Sequence, residues 1–215
     1  MPKVRRGGRP SREASEQLGD LILDAATELF LAHGFGATSI EAVAQRVRIS
    51  KRTFYHRFED KPTLFAAVVH RIIERLRPPA SIALIEGADL EAVLERLATL
   101  ILRGALSPQA ISLHRLIVAE SARFPELAAV LAREGAAEEA IRLIAGVIEH
   151  ANLAGSLNCD DPVFAAQQFL QMVIALPQRR AMGLGAPMST REIDDWPRKV
   201  VDLFLNGCTG DASAR

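Results

Sequence analysis

Apolar residues recur along most of this 215-residue chain at intervals of three and four, which is the spacing of an amphipathic α-helix. Segment 38–58, TSIEAVAQRVRISKRTFYHRF, contains two short examples in succession. Thr38 and Glu41 have the spacing of a capping box, and Ser50 is placed to cap a second helix. The pattern predicts two short helices joined by a tight turn. Their apolar stripes are formed by Ile40, Val43, Ala44 and Val47 in the first helix and by Phe54 and Phe58 in the second.

The opposite side of the second helix carries Lys51, Arg52, Tyr55 and His56. Two adjacent cations, a phenol and an imidazole suit a helix that enters the major groove of DNA, where Lys and Arg reach guanine edges and phosphates, and Tyr and His bond phosphate oxygens. The partial positive charge at the N-terminus of the helix adds to this attraction. The alternative is that these residues are the solvated side of an ordinary surface helix.

Segment 30–68, FLAHGFGATSIEAVAQRVRISKRTFYHRFEDKPTLFAAV, resembles the DNA-binding domain of the TetR family of bacterial transcription regulators. The shared features include the Thr-Phe-Tyr-His-x-Phe run at 53–58 and the lysine at position 61. Arg48 departs from the family, which usually has Gly in the turn, so we expect Arg48 to adopt a positive φ or the turn to be rearranged. The resemblance implies a DNA-binding surface made of Thr38, Ser50, Lys51, Arg52, Thr53, Tyr55, His56 and Lys61. Arg52 and Lys51 are the candidates for base edges, and Thr38, Tyr55, His56 and Lys61 are the candidates for phosphates.

Charge is distributed unevenly along the chain, although the formal net charge is zero. Residues 1–77 hold 14 lysines and arginines against 9 aspartates and glutamates, and residues 78–215 hold 12 against 17. A basic N-terminal part joined to an acidic body is typical of a DNA-binding protein with a second domain. Residues 1–15 contain few apolar groups and are predicted to be a disordered basic arm. Its Arg5, Arg6 and Arg9 lie beside glycines, which suits entry into a narrow minor groove, and the alternative is a solvated basic tail.

The helical pattern continues to the end of the chain, which predicts an all-α protein. We assign an N-terminal three-helix helix-turn-helix DNA-binding domain to 16–61, a connecting helix to 62–79, and an α-helical ligand-binding and dimerisation domain to 80–207, followed by a frayed tail at 208–215. In the first helix, Gly34 is placed to end the segment 17–33. In the last helix, Ser189 and Glu192 form a capping box, but Pro197 lies so deep that we expect a kink or a restart at Asp195.

Two further segments, HRLIVAESARFPELAAVL at 114–131 and DDPVFAAQQFLQMV at 160–173, resemble the C-terminal domain of one TetR subgroup. The resemblance implies a cavity for an apolar or aromatic effector and a four-helix dimer interface near 162–176 and 193–206. The candidate effector-binding residues are His114, Ile117, Phe124, Phe169 and Met172. The candidate dimer residues are Phe169, Val173, Trp196, Val200, Leu203 and Phe204. The alternative is that both segments are simply part of the core.

Catalytic and metal-binding signals are weak. Cys159 and Cys208 are far apart and lack the paired spacing of a zinc site, and the five histidines are dispersed. The chain has no Gly-x-Ser-x-Gly elbow and no phosphate-binding glycine loop. No apolar run approaches the length of about 20 residues that spans a bilayer, and the basic N-terminus has no apolar segment after it. We therefore expect a cytoplasmic protein that is not an enzyme and needs no cofactor or metal.

The hypothesis that joins these observations is a ligand-responsive transcriptional regulator, most often a repressor in this family. It would bind a palindromic operator in double-stranded DNA as a homodimer and be released by a small molecule. The alternative is an all-α enzyme or small-molecule carrier whose N-terminal helix-turn-helix is a protein-interaction module. An interaction module would not require the cationic recognition face together with a basic arm, so that face favours the regulator.

Overall fold

The computed structural model describes residues 12–76, 89–134 and 136–207. All regular structure in these ranges is α-helical, which confirms the predicted fold class. The expected arm with Arg5, Arg6 and Arg9 lies outside the described residues, as do the end of the connecting helix and the C-terminal tail. The helices are α1 (Arg12–Ala37), α2 (Ile40–Arg46), α3 (Lys51–Tyr55), α4 (Lys61–Leu76), α5 (Leu90–Ala105), α6 (Pro108–Glu120), α7 (Pro125–Glu134), α8 (Ala136–Leu153), α9 (Pro162–Ala181) and α10 (Thr190–Asn206).

The chain divides into two compact units. The first unit contains the residues up to Arg71 together with Leu116–Arg133, and the second contains Ile72–Arg115 together with the chain from Glu134 onward. This division differs from the domain assignment made from sequence, which placed 116–133 in the C-terminal body. Periodicity alone predicts that these residues are helical, but it does not show which unit they pack against.

The first helix begins earlier than predicted. Residues from Arg12 are already helical, whereas the sequence suggested a disordered arm up to residue 15. The Arg57 guanidinium contacts this segment, since it donates to the backbone carbonyl of Ser15 and, at 2.6 Å, to its hydroxyl. The predicted end is correct. Gly34 interrupts α1 with φ 88° and ψ 166°, a conformation that is essentially restricted to glycine.

Aromatic rings fill the core of the first unit. The Phe30 and Phe65 rings meet edge to face with centroids 5.4 Å apart, and Phe35 makes the same kind of contact with Phe65 at 5.4 Å. Leu64, Phe65 and Val68 of α4 are buried here, and Asp60 caps that helix by accepting from the Thr63 N–H at 2.7 Å. The packing holds α1 and α4 together and supports the two short helices between them.

In the second unit, α5, α8, α9 and α10 surround one apolar core. The capping box at the start of α10 is confirmed, since Ser189 and Glu192 bond each other's backbone N–H groups at 2.8 and 3.2 Å. The expected restart at Asp195 is wrong, because α10 runs from Thr190 to Asn206 with Pro197 inside it. Burial of the proline side chain offsets the missing backbone donor, and the neighbouring Trp196 indole donates to the Val173 carbonyl on α9 at 3.0 Å. None of the helices in the described ranges is long and apolar enough to cross a membrane.

Candidate nucleic-acid interface

The first short helix, α2, is capped one residue later than predicted. Ser39 is the N-cap and accepts from the Ala42 N–H at 3.1 Å. Thr38 is 3% exposed, and its hydroxyl donates to the Gly34 carbonyl at 2.8 Å and lies 3.1 Å from the Leu29 carbonyl. The predicted capping role of Thr38 is therefore wrong. The hydroxyl that was predicted to contact a DNA phosphate is bonded to the end of α1.

The turn between α2 and α3 is a Schellman motif, in which two backbone bonds close the C-terminus of a helix. The Ile49 N–H donates to the Ala44 carbonyl at 2.9 Å, and the Arg48 N–H donates to the Gln45 carbonyl at 3.1 Å. Arg48 has φ 57°, which confirms the positive φ expected at this position. It is the single non-glycine residue with positive φ in the described part of the chain. The turn thus keeps the geometry that a glycine would adopt, at some cost in backbone strain.

The second short helix, α3, is anchored on one side and open on the other. Ser50 caps it by accepting from the Thr53 N–H at 3.1 Å, and the two hydroxyls lie 2.8 Å apart. Phe54 is fully buried and packs edge to face on Tyr55 at 5.7 Å. This anchoring fixes the orientation of the exposed side, which carries Lys51, Arg52, Tyr55 and His56. The structure therefore brings together on one side four of the residues predicted to meet DNA.

Two ion pairs that the sequence did not indicate join helices of the first unit. Glu41 on α2 pairs with Lys51, and this hydrogen bond lowers the pKa of Glu41 and raises that of Lys51. Glu28 on α1 pairs with Arg46 at 2.8 Å. The first pair joins α2 to α3, and the second joins α1 to α2. Their spacing in sequence gives no helical i, i+4 signal, so only the fold reveals them.

Lys61 has different partners from those predicted. Its ammonium donates to the carbonyls of Phe35 at 2.9 Å and Thr38 at 3.1 Å, and it lies 4.5 Å from the centre of the Phe35 ring. Burial lowers the pKa of Lys61, while the nearby carboxylates of Glu120 and Glu126 act in the opposite direction. The ammonium thus satisfies carbonyls at the end of α1. These internal bonds compete with the predicted contact to a DNA phosphate.

Segment 116–133 closes on the same end of α1. The Glu120 carboxylate accepts from the Gly36 N–H at 2.7 Å, and the Phe124 ring meets the Phe35 ring edge to face at 5.0 Å. Phe124, which was predicted to line an effector cavity, lies in the first unit at this contact. The five effector candidates are not gathered in one unit. Ile117 and Phe124 belong to the first unit, and His114, Phe169 and Met172 belong to the second.

The dimer candidates also divide into two groups. Phe169 and Val173 are fully buried within the protomer and Val200 is 5% exposed, so the protomer itself covers these three predicted dimer residues. The Phe204 ring is half-buried against Phe169 at 4.9 Å. Leu203 remains 43% exposed on α10. Apolar character alone could not separate the residues that fill the protomer core from those that another copy can cover.

The first unit contains two short helices joined by a Schellman turn, and the second helix presents two cations, a phenol and an imidazole. These features define a helix-turn-helix protein of the DNA-binding class. Comparison with known proteins narrows this class. Residues 22–68 match the family described as bacterial regulatory proteins, tetR family, and residues 92–207 match the AefR-like transcriptional repressor, C-terminal domain. The chain belongs to the TetR family of bacterial transcription regulators.

Similar proteins cover the chain to different extents. The solved structure of the Flavonoid-responsive Regulator FrrA is 32% identical, covers 92% of this chain and 100% of its own, and has a TM-score of 0.74. A TetR family transcriptional regulator from Pseudomonas syringae pv. tomato strain DC3000 is 26% identical, with 89% and 96% coverage and a TM-score of 0.70. The HTH-type transcriptional regulator UidR of Escherichia coli strain K12 is 32% identical over 114 residues, which are 51% of this chain. The chain spans 55% of the length of that curated relative.

Proposed function

We propose that this protein is a ligand-responsive repressor that binds a near-palindromic operator as a homodimer. The observation that carries the proposal is the exposed cationic side of α3, which the buried Phe54 holds in one orientation. A homodimer presents this helix twice, so the two copies would enter successive major grooves about 34–36 Å apart, or somewhat more if the DNA is bent.

The residues of this face have distinct roles in the proposal. Arg52 and Lys51 reach base edges, because guanidinium and ammonium groups donate to the O6 and N7 atoms of guanine. Tyr55 and His56 bond phosphates and set the register of the helix on the duplex. The hydroxyls of Ser50 and Thr53 bond each other, so these residues would orient the start of α3. The hydroxyl hydrogen that this bond leaves free could donate to a DNA phosphate. The arginines of the N-terminal arm, Arg5, Arg6 and Arg9, would enter the flanking minor groove.

The effector in this proposal is an apolar or aromatic small molecule bound by the second unit. The similarity to a flavonoid-responsive regulator supports an aromatic effector. His114 and Met172 are the half-buried candidates that remain in this unit. Linkage requires that the effector weaken operator binding by the same factor by which the operator weakens effector binding.

The proposed dimer interface lies on α9 and α10. Its remaining candidates are the exposed Leu203 and the half-buried Trp196 and Phe204, and the second family match covers both helices. A four-helix arrangement of two helices from each protomer would cover these apolar groups. Since its partner is chromosomal DNA, we place the protein in the cytoplasm.

The experiment that tests this function is selection from a random DNA pool. The full-length protein is incubated with random double-stranded fragments, and the retained fragments are sequenced. The proposal predicts enrichment of a near-palindrome whose half-sites are about one helical turn apart. Retention without any common sequence, or no retention at all, would favour the alternative in which the helix-turn-helix is a protein-interaction module of an all-α enzyme or carrier.

A further inference from the structure

The first residue of α3 has an acidic partner on the neighbouring helix. The Lys51 ammonium pairs with the Glu41 carboxylate, which lies in the first turn of α2. Both side chains stand in solvent, since 59% of the Lys51 side chain and 47% of the Glu41 side chain are exposed. Exposed ion pairs contribute little to folding stability. The pair therefore adds little to the stability of the fold. Its main effect is on the charge of the surface that faces DNA.

Glu41 is ionised at neutral pH, as an ordinary glutamate is, and its bond to Lys51 lowers the pKa of its carboxyl group further. A negative charge fixed beside the reading helix acts differently on the two kinds of DNA acceptor. A phosphate that approaches Lys51 is repelled by the carboxylate. A guanine edge presents neutral acceptors and is not repelled in this way.

The geometry of an ammonium group strengthens this distinction. Lys51 has three N–H donors, so it can keep its bond to Glu41 and still donate to guanine O6 or N7. To contact a phosphate closely, Lys51 must instead bring two anions together or leave Glu41. Nonspecific binding rests almost entirely on phosphate contacts, whereas operator binding adds contacts to bases.

We propose that Glu41 is a specificity-determining residue, which directs Lys51 toward base edges and weakens binding to nonspecific DNA more than binding to the operator. This inference rests on the proposed function, because it presumes that α3 reads DNA. In this role Glu41 lowers the total affinity for DNA but increases the preference for the operator over nonspecific DNA.

The test compares Glu41→Gln with Glu28→Gln in the full-length protein. Glu28 is a matched control, because it is an exposed carboxylate of the same unit, pairs with a cation across two helices at 2.8 Å, and its replacement changes net charge equally. Dissociation constants are measured by fluorescence anisotropy over a range of salt concentrations. The two duplexes are the operator selected from the random pool and a duplex of unrelated sequence.

For Glu41→Gln we expect binding to the unrelated duplex to tighten about three- to tenfold at low salt, with a salt slope steeper by about 0.9 for each added phosphate contact. Operator binding should change less, so the ratio of the two affinities falls. Glu28→Gln should leave this ratio near the wild-type value. In a Lys51→Met background the effect of Glu41→Gln should disappear, because the cation that it releases is absent.

Three results would overturn the inference. If Glu41→Gln and Glu28→Gln change both affinities alike, only net charge matters. If Glu41→Gln weakens operator binding alone, the carboxylate itself contacts a base, such as the amino group of cytosine. If the effect persists without Lys51, the pair is not its cause. Wild-type protein that binds neither duplex would instead refute the proposed function, and with it this inference.

Discussion

The Glu120 carboxylate accepts a hydrogen bond from the Gly36 backbone N–H at 2.7 Å, across 84 positions of the chain. The contact depends on the absence of side chains at two glycines. A Cβ at Gly34 would lie 2.2 Å from a carboxylate oxygen of Glu120, and one at Gly36 would lie 3.3 Å from the Phe124 ring. Segment 116–133 can therefore pack on the end of α1 because Gly34 and Gly36 have no side chains. This contact completes the first unit.

Gly34→Ala should destabilise the protein for two separable reasons. The backbone conformation at Gly34 should cost an alanine about 1–3 kcal/mol, and the new methyl group would also displace the Glu120 carboxylate. In a Glu120→Ala background only the backbone cost remains. Urea unfolding of the wild type, both single variants and the double variant should give a coupling energy of about 0.5–3 kcal/mol. Additive effects, within about 0.5 kcal/mol, would show that the carboxylate does not occupy this position.

Lys61→Met should lower the free energy of unfolding by about 1.5–3 kcal/mol, which is the usual contribution of hydrogen bonds to a charged group. The reason is that carbonyls at the end of α1, including those of Phe35 and Thr38, lose their donor. The salt slope of DNA binding should stay as in the wild type. Unchanged stability together with a slope lower by about one per protomer would restore the phosphate contact that sequence reasoning predicts.

The free energy of unfolding of wild type and of Lys61→Met, measured as a function of pH, tests the environment of the Lys61 ammonium. Burial lowers the pKa of Lys61 in the folded protein below its ordinary value of 10.5. Between these two values the unfolded chain binds more protons than the folded protein, so stability rises with pH in this window. Wild type should therefore gain stability relative to Lys61→Met as pH approaches 10.5. A loss over the same window would show that the folded protein favours the charged ammonium.

Arg48→Gly should stabilise the protein by up to about 1 kcal/mol. Glycine removes the strain of a left-handed residue, about 1–2 kcal/mol, and part of this gain is lost to the greater freedom of glycine in the unfolded chain. Arg48→Ala is the matched control, since it removes the same side chain but keeps the Cβ atom and the strain. Thermal unfolding measures both variants. Equal stability of the glycine and alanine variants would mean that the turn is not strained.

Leu203→Glu should convert the proposed dimer into a monomer. The side chain is 43% exposed on α10, so the change places a charge in the interface without disturbing the protomer core. Leu184→Glu, at a residue 61% exposed in the connection after α9, is the control and should remain dimeric. Light scattering at micromolar concentration distinguishes the two. A Leu203→Glu dimer of unchanged mass would move the interface elsewhere.

Local signals were the most reliable guide from sequence to structure. Gly34 and Ser189 mark helix ends as predicted, because turns and caps depend on residues within three or four positions. The capping residue of α2 was misplaced by one position for a tertiary reason. Thr38 and Ser39 can both cap a helix. The Thr38 hydroxyl donates to the Gly34 carbonyl, and Ser39 is the cap.

Contacts between distant segments could not be predicted in this way. Lys61 meets the Phe35 carbonyl 26 positions away, and nothing in the spacing of either residue indicates the pair. Phe169 and Val200 were recognised as apolar, but hydrophobic periodicity does not show whether the same protomer or another copy covers them. The side of α3 that faces outward was predictable because Phe54 and Phe58 identify the side that faces the core.

The most direct test of the proposed reading helix is the affinity of Arg52→Ala for the operator selected from the random pool. The account predicts a loss of about 1–3 kcal/mol on that site and a relaxed preference at one base pair in each half-site. Fluorescence anisotropy with the selected operator and with single-base variants of it measures both quantities. If Arg52→Ala leaves affinity and sequence preference unchanged, α3 does not read DNA through Arg52, and the central claim is contradicted.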